Sequence, residues 1–260
     1  MLTRALAGLV VALTIAGVAA RAGSLTRGGA VAATTLGTIA VAAGWEWGAL
    51  LIIYFVSSTT LSRVGRARKE QRTETVVEKG GKRDAVQVLA NGALFGGAAA
   101  AMIAQPHAHW IALGAGALAA SAADTWATEV GTLSRGEPRS ILDGKHVPAG
   151  TSGAVSIPGT VAMVAGAAFI AIVLVLLDWT TSLALRVFVA GVFGATLDTV
   201  LGATLQARRW CDSCAHETER TLHHCGAATR PLRGFTWLDN DLVNFLSGTA
   251  AGLLAALLSR

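Results

Sequence analysis

The chain has 260 residues, of which 53% are hydrophobic and only 14% charged, and its mean hydropathy is +0.54. Soluble globular proteins carry charges on about a quarter of their residues, so this composition excludes an ordinary soluble domain. Glycine is abundant (30 residues) and proline scarce (5 residues), which is typical of closely packed membrane helices. The sequence therefore predicts an integral membrane protein with little chain left for an extramembrane domain.

Eight apolar runs are long enough to cross a bilayer as helices. They cover residues 2–20, 28–44, 47–62, 85–104, 109–131, 153–177, 181–206 and 242–259. The first run also fits a cleaved signal peptide, but its basic leader is only Arg4 and seven more spans follow, which favours a retained helix. We therefore predict an all-α polytopic fold in which residues 1–260 form a single transmembrane domain.

Positive charge is distributed unevenly between the two sides of these spans. All but three of the 21 lysine and arginine residues lie in the first, third, fifth and seventh connections, and the exceptions are Arg4, Arg186 and Arg260. Basic residues are retained on the cytosolic side of membrane proteins. We therefore place both termini outside and the four basic connections in the cytosol, with the protein in the cytoplasmic membrane. Most of the third connection, residues 63–84, is interpreted as a solvated loop near anionic headgroups.

Ionisable and amide side chains occur within four spans, always toward the predicted cytosolic end. Such groups are costly in lipid and are expected to face protein or water. Because residues four apart share a helix face, we predict that they line one pocket, although hydrogen bonds between helices are an alternative for the amides. The candidates are Lys82, Arg83, Gln87, Asn91, Asp124, Thr128, Glu129, Asp198, Gln206, Asp239, Asn240, Asp241 and Asn244.

The predicted pocket combines carboxylates with basic groups. Carboxylate oxygens suit Mg²⁺, which usually binds one or two carboxylates together with substrate phosphates. Carboxylates without a cation would repel one another, and a metal with an anionic substrate resolves that conflict. The candidate Mg²⁺ ligands are Asp124, Glu129, Asp198 and Asp241, with Asp239 beside them, and the candidate phosphate-binding cations are Lys82, Arg83, Arg139 and Lys145.

A glycine-rich segment precedes the sixth span. Gly150, Thr151, Ser152 and Gly153 lie just before it, with Ser156 on its first turn. Free backbone amides at a helix N-terminus can bind an anion, and glycines allow close approach. Helix capping by the hydroxyl groups is the alternative. The segment is not a Walker A loop, because it lacks the lysine that precedes serine or threonine there.

All three cysteines lie in the seventh connection, residues 207–236, which we expect to be a cytosolic loop. Cys211, Cys214 and Cys225, with His223 or His224, have spacing typical of a structural zinc site. A disulfide is not expected in the cytosol, and free thiols or a redox pair are the alternatives. Other histidines are not expected in the site: His107 and His109 lie on the opposite side and His146 at the surface.

Five motifs in order carry a family resemblance: KRDAVQVLANG, ADTWATEVGTLS, GTSGAVSIPGT, LDTVLGATLQ and LDNDLVNFLSG. Together, from about residue 50 to the C-terminus, they resemble the integral membrane prenyl-phosphate kinases, a family long known as a domain of unknown function that includes the chloroplast phytyl-phosphate kinase. A looser similarity extends to the CTP-dependent dolichol and phytol kinases. The resemblance implies phosphoryl transfer from a nucleoside triphosphate, with CTP favoured, to an isoprenoid monophosphate. It also implies that Asp124, Asp198 and residues 239–244 belong to the site.

The lipid tail is expected between helices open to the bilayer. The small-residue segments GALFGGAAAAM and ALGAGALAASA could line that groove, although tight helix packing is the simpler explanation. Two other functions are considered: a cytidylyltransferase that forms a CDP-lipid, and a transporter of lipid phosphate or a small anion. The transporter is disfavoured because the opposite side lacks a polar stripe. Nucleic acid is not an expected partner.

Overall fold

The computed structural model describes residues 1–258, and this part of the chain is mostly helical. The prediction of an all-α membrane fold is confirmed. The last predicted span, 242–259, ends one residue beyond the described range, and Arg260 also lies outside it. The helices are α1 (Leu2–Arg21), α2 (Arg27–Ala43), α3 (Trp45–Arg63), α4 (Arg66–Thr73), α5 (Ala85–Ala104), α6 (Ala108–Leu133), α7 (Ile157–Leu176), α8 (Thr181–Thr204) and α9 (Asn240–Leu257).

Eight of the helices found in residues 1–258 coincide with the eight predicted apolar runs. Four of these, α1, α5, α7 and α8, are long and apolar enough by themselves to cross a membrane. A fifth crossing is added if α3 and α4, which meet at an angle of 73°, form one bent span. The count of eight spans and their orientation therefore stay predictions.

Helix α6 lies at the centre and packs against α3, α5, α7, α8 and α9. Its central turns present alanine and glycine, so neighbouring backbones approach closely. A Cβ added at Gly116 would lie 2.9 Å from the Ala251 carbonyl oxygen, and one at Gly166 would lie 2.8 Å from that of Ala122. The small-residue segments of α5 and α6 are thus part of the buried core, through Ala99 and other residues. Tight helix packing therefore explains the small residues of these two segments.

Helix α1 packs along α2, and glycines again set the approach. A Cβ added at Gly8 would meet Val41, and one at Gly37 would meet Ala12, at 2.8 and 2.9 Å respectively. Ala12 and Ala16 on α1 are buried. This packing fits a retained helix of the folded domain better than a signal peptide.

The third connection differs from the predicted solvated loop. Residues 66–73 form α4, which begins after Gly65, a residue in the left-handed region with φ of +61°. Although α4 consists almost entirely of polar residues, its Lys69 is buried. The reason is tertiary: α4 folds back onto the end of α6, where Lys69 has acceptors that a sequence pattern does not reveal.

Two small sheets lie in the connections. Strands β1 (Arg139–Ser140) and β2 (Ala154–Val155) pair antiparallel before α7. Strands β3 (Arg208–Cys211), β4 (His216–Thr218) and β5 (Arg230–Arg233) form an antiparallel sheet of order β4-β3-β5. The seventh connection, expected to be a loop, is therefore a compact sheet, and β2 shortens the sixth span so that α7 begins at Ile157 rather than residue 153.

Candidate functional site

A single cavity of about 550 Å³ gathers most of the polar residues predicted from the helix stripes. Its size is within the range of small-molecule binding sites. The predicted site residues that line it come from α5, α6, α8 and α9, from residues just outside the ends of these helices, and from the segment before α7. They are Arg83, Gln87, Asn91, Asp124, Thr128, Glu129, Gly150, Thr151, Ser152, Gly153, Ser156, Asp198, Gln206, Asp239, Asn240, Asp241 and Asn244.

Three predicted phosphate-binding cations do not line this cavity. Lys82 is exposed, Lys145 is exposed and pairs with Asp143 at 3.1 Å, and Arg139 donates to the Gly144 carbonyl at 2.8 Å. These assignments are corrected: the three side chains lie at the surface, although other residues of the same connections line the cavity. Other basic residues line the cavity in their place, namely Arg63, Arg66, Lys69, Lys79 and Arg209.

Asp124 on α6 and Asp198 on α8 meet in this cavity and interact electrostatically. Asp198 is buried, and one of its oxygens accepts a hydrogen bond from the Ser247 hydroxyl at 2.9 Å. Asp124 makes no hydrogen bond or ion pair with any other residue of the described range 1–258. Two carboxylates with free oxygens in a cavity provide the ligand type that Mg²⁺ prefers.

The carboxylates do not form a closed metal cage. Within residues 1–258, no three aspartate or glutamate side chains bring their oxygens within 4.8 Å of one another. Mg²⁺ usually keeps several waters and shares its coordination with substrate phosphates, so a preformed cage is not required. The arrangement therefore suits a metal held jointly by Asp124, Asp198 and an anionic ligand.

Glu129, predicted as a metal ligand, is engaged within the protein. Its Oε1 accepts a hydrogen bond from the Ser62 hydroxyl at 2.5 Å, and its Oε2 forms an ion pair with the buried Lys69. The same ammonium group donates to the carbonyls of Leu61 and Ser62 at 3.0 and 2.9 Å. Glu129 thus joins α6 to α3 through one oxygen and to α4 through the other, and the structure gives both oxygens partners other than a metal.

Lys79 bridges two carboxylates at the mouth of the cavity. Its Nζ lies 2.5 Å from Asp241 and 3.1 Å from Asp84. Asp84 also caps α5 in a capping box with Gln87. Partial burial opposes ionisation of Asp84, but the Gln87 amide and Lys79 outweigh it and lower the pKa of that carboxyl. Burial likewise opposes the charge of Lys79, and the two carboxylates outweigh it and raise its pKa.

The glycine-rich segment has internal partners where a phosphate was predicted. The Thr151 amide donates to the Pro148 carbonyl. The Ser152 amide and hydroxyl both donate to Glu219, at 3.3 and 2.6 Å. These two amides are therefore already used, which corrects the predicted cradle. The anion that the Ser152 amide binds is a carboxylate of the protein itself, contributed by Glu219 just after β4.

Glu219 is in turn neutralised by Arg208, at 3.0 Å. Both side chains are buried, and Arg208 also donates to the Ser152 carbonyl at 2.5 Å. Burial raises the pKa of Glu219 even though Arg208 opposes the shift. Gly153, with φ of +82°, allows the glycine-rich segment to lie directly against α8. A Cβ at this position would lie 2.6 Å from the Ala203 Cα atom of α8.

Several predicted binding residues also have clear roles in helix geometry. Asp239 caps α9 by accepting from the Leu242 amide at 2.9 Å. Ser156 caps α7 through the Gly159 amide at 3.2 Å, and Asn91 donates to the carbonyl of Gln87 one turn earlier at 2.9 Å. Their contact with the cavity is compatible with capping, since one carboxylate or hydroxyl oxygen can serve the helix and still face a ligand.

The cavity continues from this polar end into an apolar arm between α1, α2 and α3. The arm runs along α3 from Arg63 back to Gly48, which is about 22 Å at the rise of an α-helix. Its walls are aliphatic and aromatic, and include Val11, Ile15, Leu36, Leu51, Ile52 and Phe55. One continuous cavity thus has a charged end and an apolar end.

Sequence reasoning missed Lys69, Lys79 and Glu219. Each lies in a connection rich in charge, where neither helical periodicity nor a motif distinguishes one charged residue from the next. The only signal was indirect: the unpaired acidic stripes needed cations from elsewhere. Their pairing depends on how the connections fold back over the helices.

The four predicted zinc ligands lie together on the small sheet. Their ligand atoms, from Cys211, Cys214, His223 and Cys225, are all within 4.8 Å of one another. The cysteines are not joined by disulfides. Of the two candidate histidines, the structure places His223 in the cluster and His224 beside it, at 3.2 Å.

Apolar helices of membrane-spanning length around a charged cavity define an integral membrane protein. The chain belongs to the family described as Integral membrane protein DUF92, whose profile matches residues 10–252. This confirms the family resemblance. No solved structure matches the chain.

Three relatives illustrate the breadth of the family. The chain is 30% identical to Protein PGR of Arabidopsis thaliana, over 91% of this chain and 89% of that protein. It is 32% identical to an uncharacterized membrane protein of Methanocaldococcus jannaschii, over 64% and 67% of the two chains. It is 31% identical to one of Synechocystis, over 68% and 70%.

Proposed function

We propose that this protein is a membrane lipid-phosphate kinase. It would transfer the terminal phosphoryl group of a nucleoside triphosphate, with CTP favoured, to an isoprenoid monophosphate and form the diphosphate. The reaction class, the nucleotide and the isoprenoid come from the resemblance of the five motifs. The structure contributes the physical fit between an amphipathic anion and the cavity.

The observation that carries the proposal is the continuity of the charged end with the apolar arm. A lipid phosphate has the same two parts, a dianionic head and an apolar tail. Arg83, with Lys79 nearby, would bind the phosphates by charge-assisted hydrogen bonds. The arm between α1 and α3 would bury the tail, which gains roughly 25 cal/mol for each Å² of apolar surface removed from water.

The chemistry requires little from the protein beyond positioning and neutralisation of charge. A lipid monophosphate is itself a competent nucleophile near neutral pH, so no strong general base is needed. Asp124 and Asp198 would hold Mg²⁺, which neutralises the transferred group when it is bound. Arg83 would orient the acceptor phosphate, and closure of α4 over the cavity through Lys69 would exclude water from the transferred group.

The test uses purified protein in phospholipid nanodiscs with Mg²⁺, geranylgeranyl monophosphate and CTP labelled at either the γ or the α phosphate. A kinase transfers the γ label to lipid and releases CDP. A cytidylyltransferase instead transfers the α label and releases pyrophosphate, which would contradict the proposal. Absence of both labelled lipids, with phytyl monophosphate and with ATP or GTP as well, would also contradict it.

Substitutions identify the site in the same assay. Asp124→Asn and Asp198→Asn are expected to lower kcat by about a hundredfold or more, because each removes a ligand of the Mg²⁺ that would neutralise the transferred group. Asp143→Asn, at an exposed aspartate of the connection between α6 and α7, is the matched control and should retain activity. Thermal unfolding of each variant separates lost chemistry from lost structure.

A further inference from the structure

The cysteine cluster lies at the tip of the β3–β4 hairpin, outside the cavity. Cys211 ends β3, Cys214 lies in the turn that leads to β4, and His223 and Cys225 lie in the segment between β4 and β5. Four ligand atoms from three chain segments meet within 4.8 Å. Thiols and a histidine at this separation are either a metal site or a set of reactive groups.

Two distances within the cluster match those of tetrahedral coordination. Zinc binds cysteine sulfur at about 2.3 Å and histidine nitrogen at about 2.0 Å, so tetrahedral geometry places two sulfurs about 3.8 Å apart and a sulfur and a nitrogen about 3.5 Å apart. The Sγ atoms of Cys211 and Cys225 are 3.7 Å apart. The Nδ1 atom of His223 lies 3.3 Å from the Sγ atom of Cys225.

The surroundings of His223 also suit a ligand. Metal-bound histidines usually donate the N–H of their other ring nitrogen to a neighbouring acceptor, which fixes the ring. His223 is buried, and its Nε2 atom lies 3.2 Å from Nδ1 of His224. The Nδ1 atom of His223 is therefore directed at the cysteines, where it could bind a metal, and the Nε2 atom has His224 as its hydrogen-bond partner.

We propose that Cys211, Cys214, His223 and Cys225 bind one zinc ion. Three sulfurs and one nitrogen in a tetrahedral arrangement fill the coordination shell, which is the pattern of a structural rather than a catalytic zinc site. The proposal is independent of the proposed kinase function, because the cluster lies on the sheet and none of its four residues lines the cavity.

The zinc ion would hold the end of the hairpin that is opposite to the cavity. At the other end of the same two strands, Arg208 and Glu219 face each other and hold Ser152. The amide of Glu219 also donates to the Val76 carbonyl at 2.9 Å, and so ties the hairpin to the connection after α4. Metal binding at the tip therefore positions Glu219 beside the cavity.

The first test measures metal in the full-length protein, purified in detergent without chelators, by inductively coupled plasma mass spectrometry. The expected result is one zinc per chain. His223→Ala and Cys214→Ser should lose it, and His146→Ala, at an exposed histidine of another connection, should retain it. Wild-type protein reconstituted with Co²⁺ should show the d–d and thiolate charge-transfer bands of tetrahedral cobalt, a result that does not depend on any variant folding.

Wild-type protein that contains no zinc, takes up none on addition and gives no such cobalt spectrum would overturn the proposal. So would iron in place of zinc, or a Cys211–Cys225 disulfide found by intact mass in freshly purified protein.

The positioning claim is tested by hydrogen–deuterium exchange: removing zinc should speed exchange in residues 208–219 and leave α6 unchanged. Equal exchange with and without zinc would contradict that claim. None of these measurements uses a lipid or a nucleotide, so failure of the kinase proposal would not affect them.

Discussion

Lys69 lies in a run of polar and basic residues that is typical of a solvated loop, yet its ammonium group is buried. Three groups compensate for the lost hydration: the carbonyls of Leu61 and Ser62 and the carboxylate of Glu129. A buried charge with this many acceptors is tolerated, whereas one without a partner is not. At the scale of single residues, the charges of this protein are therefore explained by their partners rather than by their position in a pattern.

This leads to a prediction for the Lys69–Glu129 pair. Lys69→Met leaves the partly buried Glu129 with only the Ser62 hydroxyl, and should lower the free energy of unfolding by about 3 kcal/mol. Arg66→Met, on the same helix, removes an exposed pair with Glu70 and should cost less than about 1 kcal/mol. Thermal unfolding in detergent measures both, and adding Glu129→Gln to Lys69→Met should recover part of the loss. Equal effects of the two single substitutions would contradict this account.

Whether a site residue could be predicted from sequence depends on whether its role is set by its own helix or by a distant partner. Asp124 and Asp198 could be found from sequence because the helical repeat fixes which residues share a face. Ser152 could not be assigned correctly, because the partner of its amide and hydroxyl is Glu219, which is more than sixty residues away. Local periodicity predicts the direction in which a side chain points, but it does not predict which partner from another segment that side chain will contact.

At the scale of elements, the bend between α3 and α4 brings a polar helix onto the membrane core. Gly65 forms the bend with φ of +61°, a conformation in which a side chain is strained. A Cβ there would also meet the Leu133 side chain at the end of α6. The angle of 73° between the helices is therefore set by one backbone conformation and one tight contact.

We expect Gly65→Ala to destabilise the protein by about 1–3 kcal/mol, because it forces alanine into the left-handed region and against Leu133. Gly80→Ala is the control: Gly80 has no atom within 4 Å of an added Cβ and no positive φ. Thermal unfolding provides the measurement, and hydrogen exchange in α4 should increase only in the Gly65 variant. If both substitutions were neutral, the bend would not depend on Gly65.

Helix ends show the same limit of local reasoning. The predicted spans agree with the observed helices within a few residues where a capping residue marks the boundary, as Asp84 does for α5. The start of α7 was placed too early, because residues 154–155 pair with β1 instead. Strand pairing of two residues leaves almost no signal in the sequence.

At the scale of the whole molecule, the cavity depends on helices that are far apart in sequence. Its apolar arm is formed by α1, α2 and α3, and its charged end by α5, α6, α8 and α9. The small-residue segments of α5 and α6 lie mainly in the packed core, which agrees with helix packing as the simpler explanation for them. The apolar arm therefore lies beside the core rather than through it.

If the proposed function is correct, the length of the apolar arm should determine how well isoprenoid chains of different lengths bind. Ile52 lines the arm, and Ile52→Trp should narrow it, raising KM for geranylgeranyl monophosphate at least about tenfold while changing KM for isopentenyl monophosphate little. Val56, one turn further along α3, is exposed and does not line the cavity, and Val56→Trp should change KM for neither lipid. Steady-state kinetics with both lipids decide, and equal changes for the two lipids would contradict a tail site in this arm.

The orientation deduced from charge is also testable on the intact molecule. If the basic connections face the cytosol, a membrane-impermeant maleimide should label Gly136→Cys only in inside-out vesicles, and Gln105→Cys only in right-side-out vesicles. Peptide mass spectrometry distinguishes the new cysteines from the native ones. Labelling of both positions from the same side would contradict the predicted arrangement.

Composition, apolar run length and helical spacing by themselves determined that this is a helical membrane protein, where its long apolar helices lie and which of their faces are polar. These are local consequences of burying a backbone in lipid. Only the tertiary structure decided which charges neutralise one another, that the glycine-rich segment binds Glu219, and that the charged end continues into an apolar arm. Those features depend on contacts between distant segments, and a sequence pattern carries no direct record of such contacts.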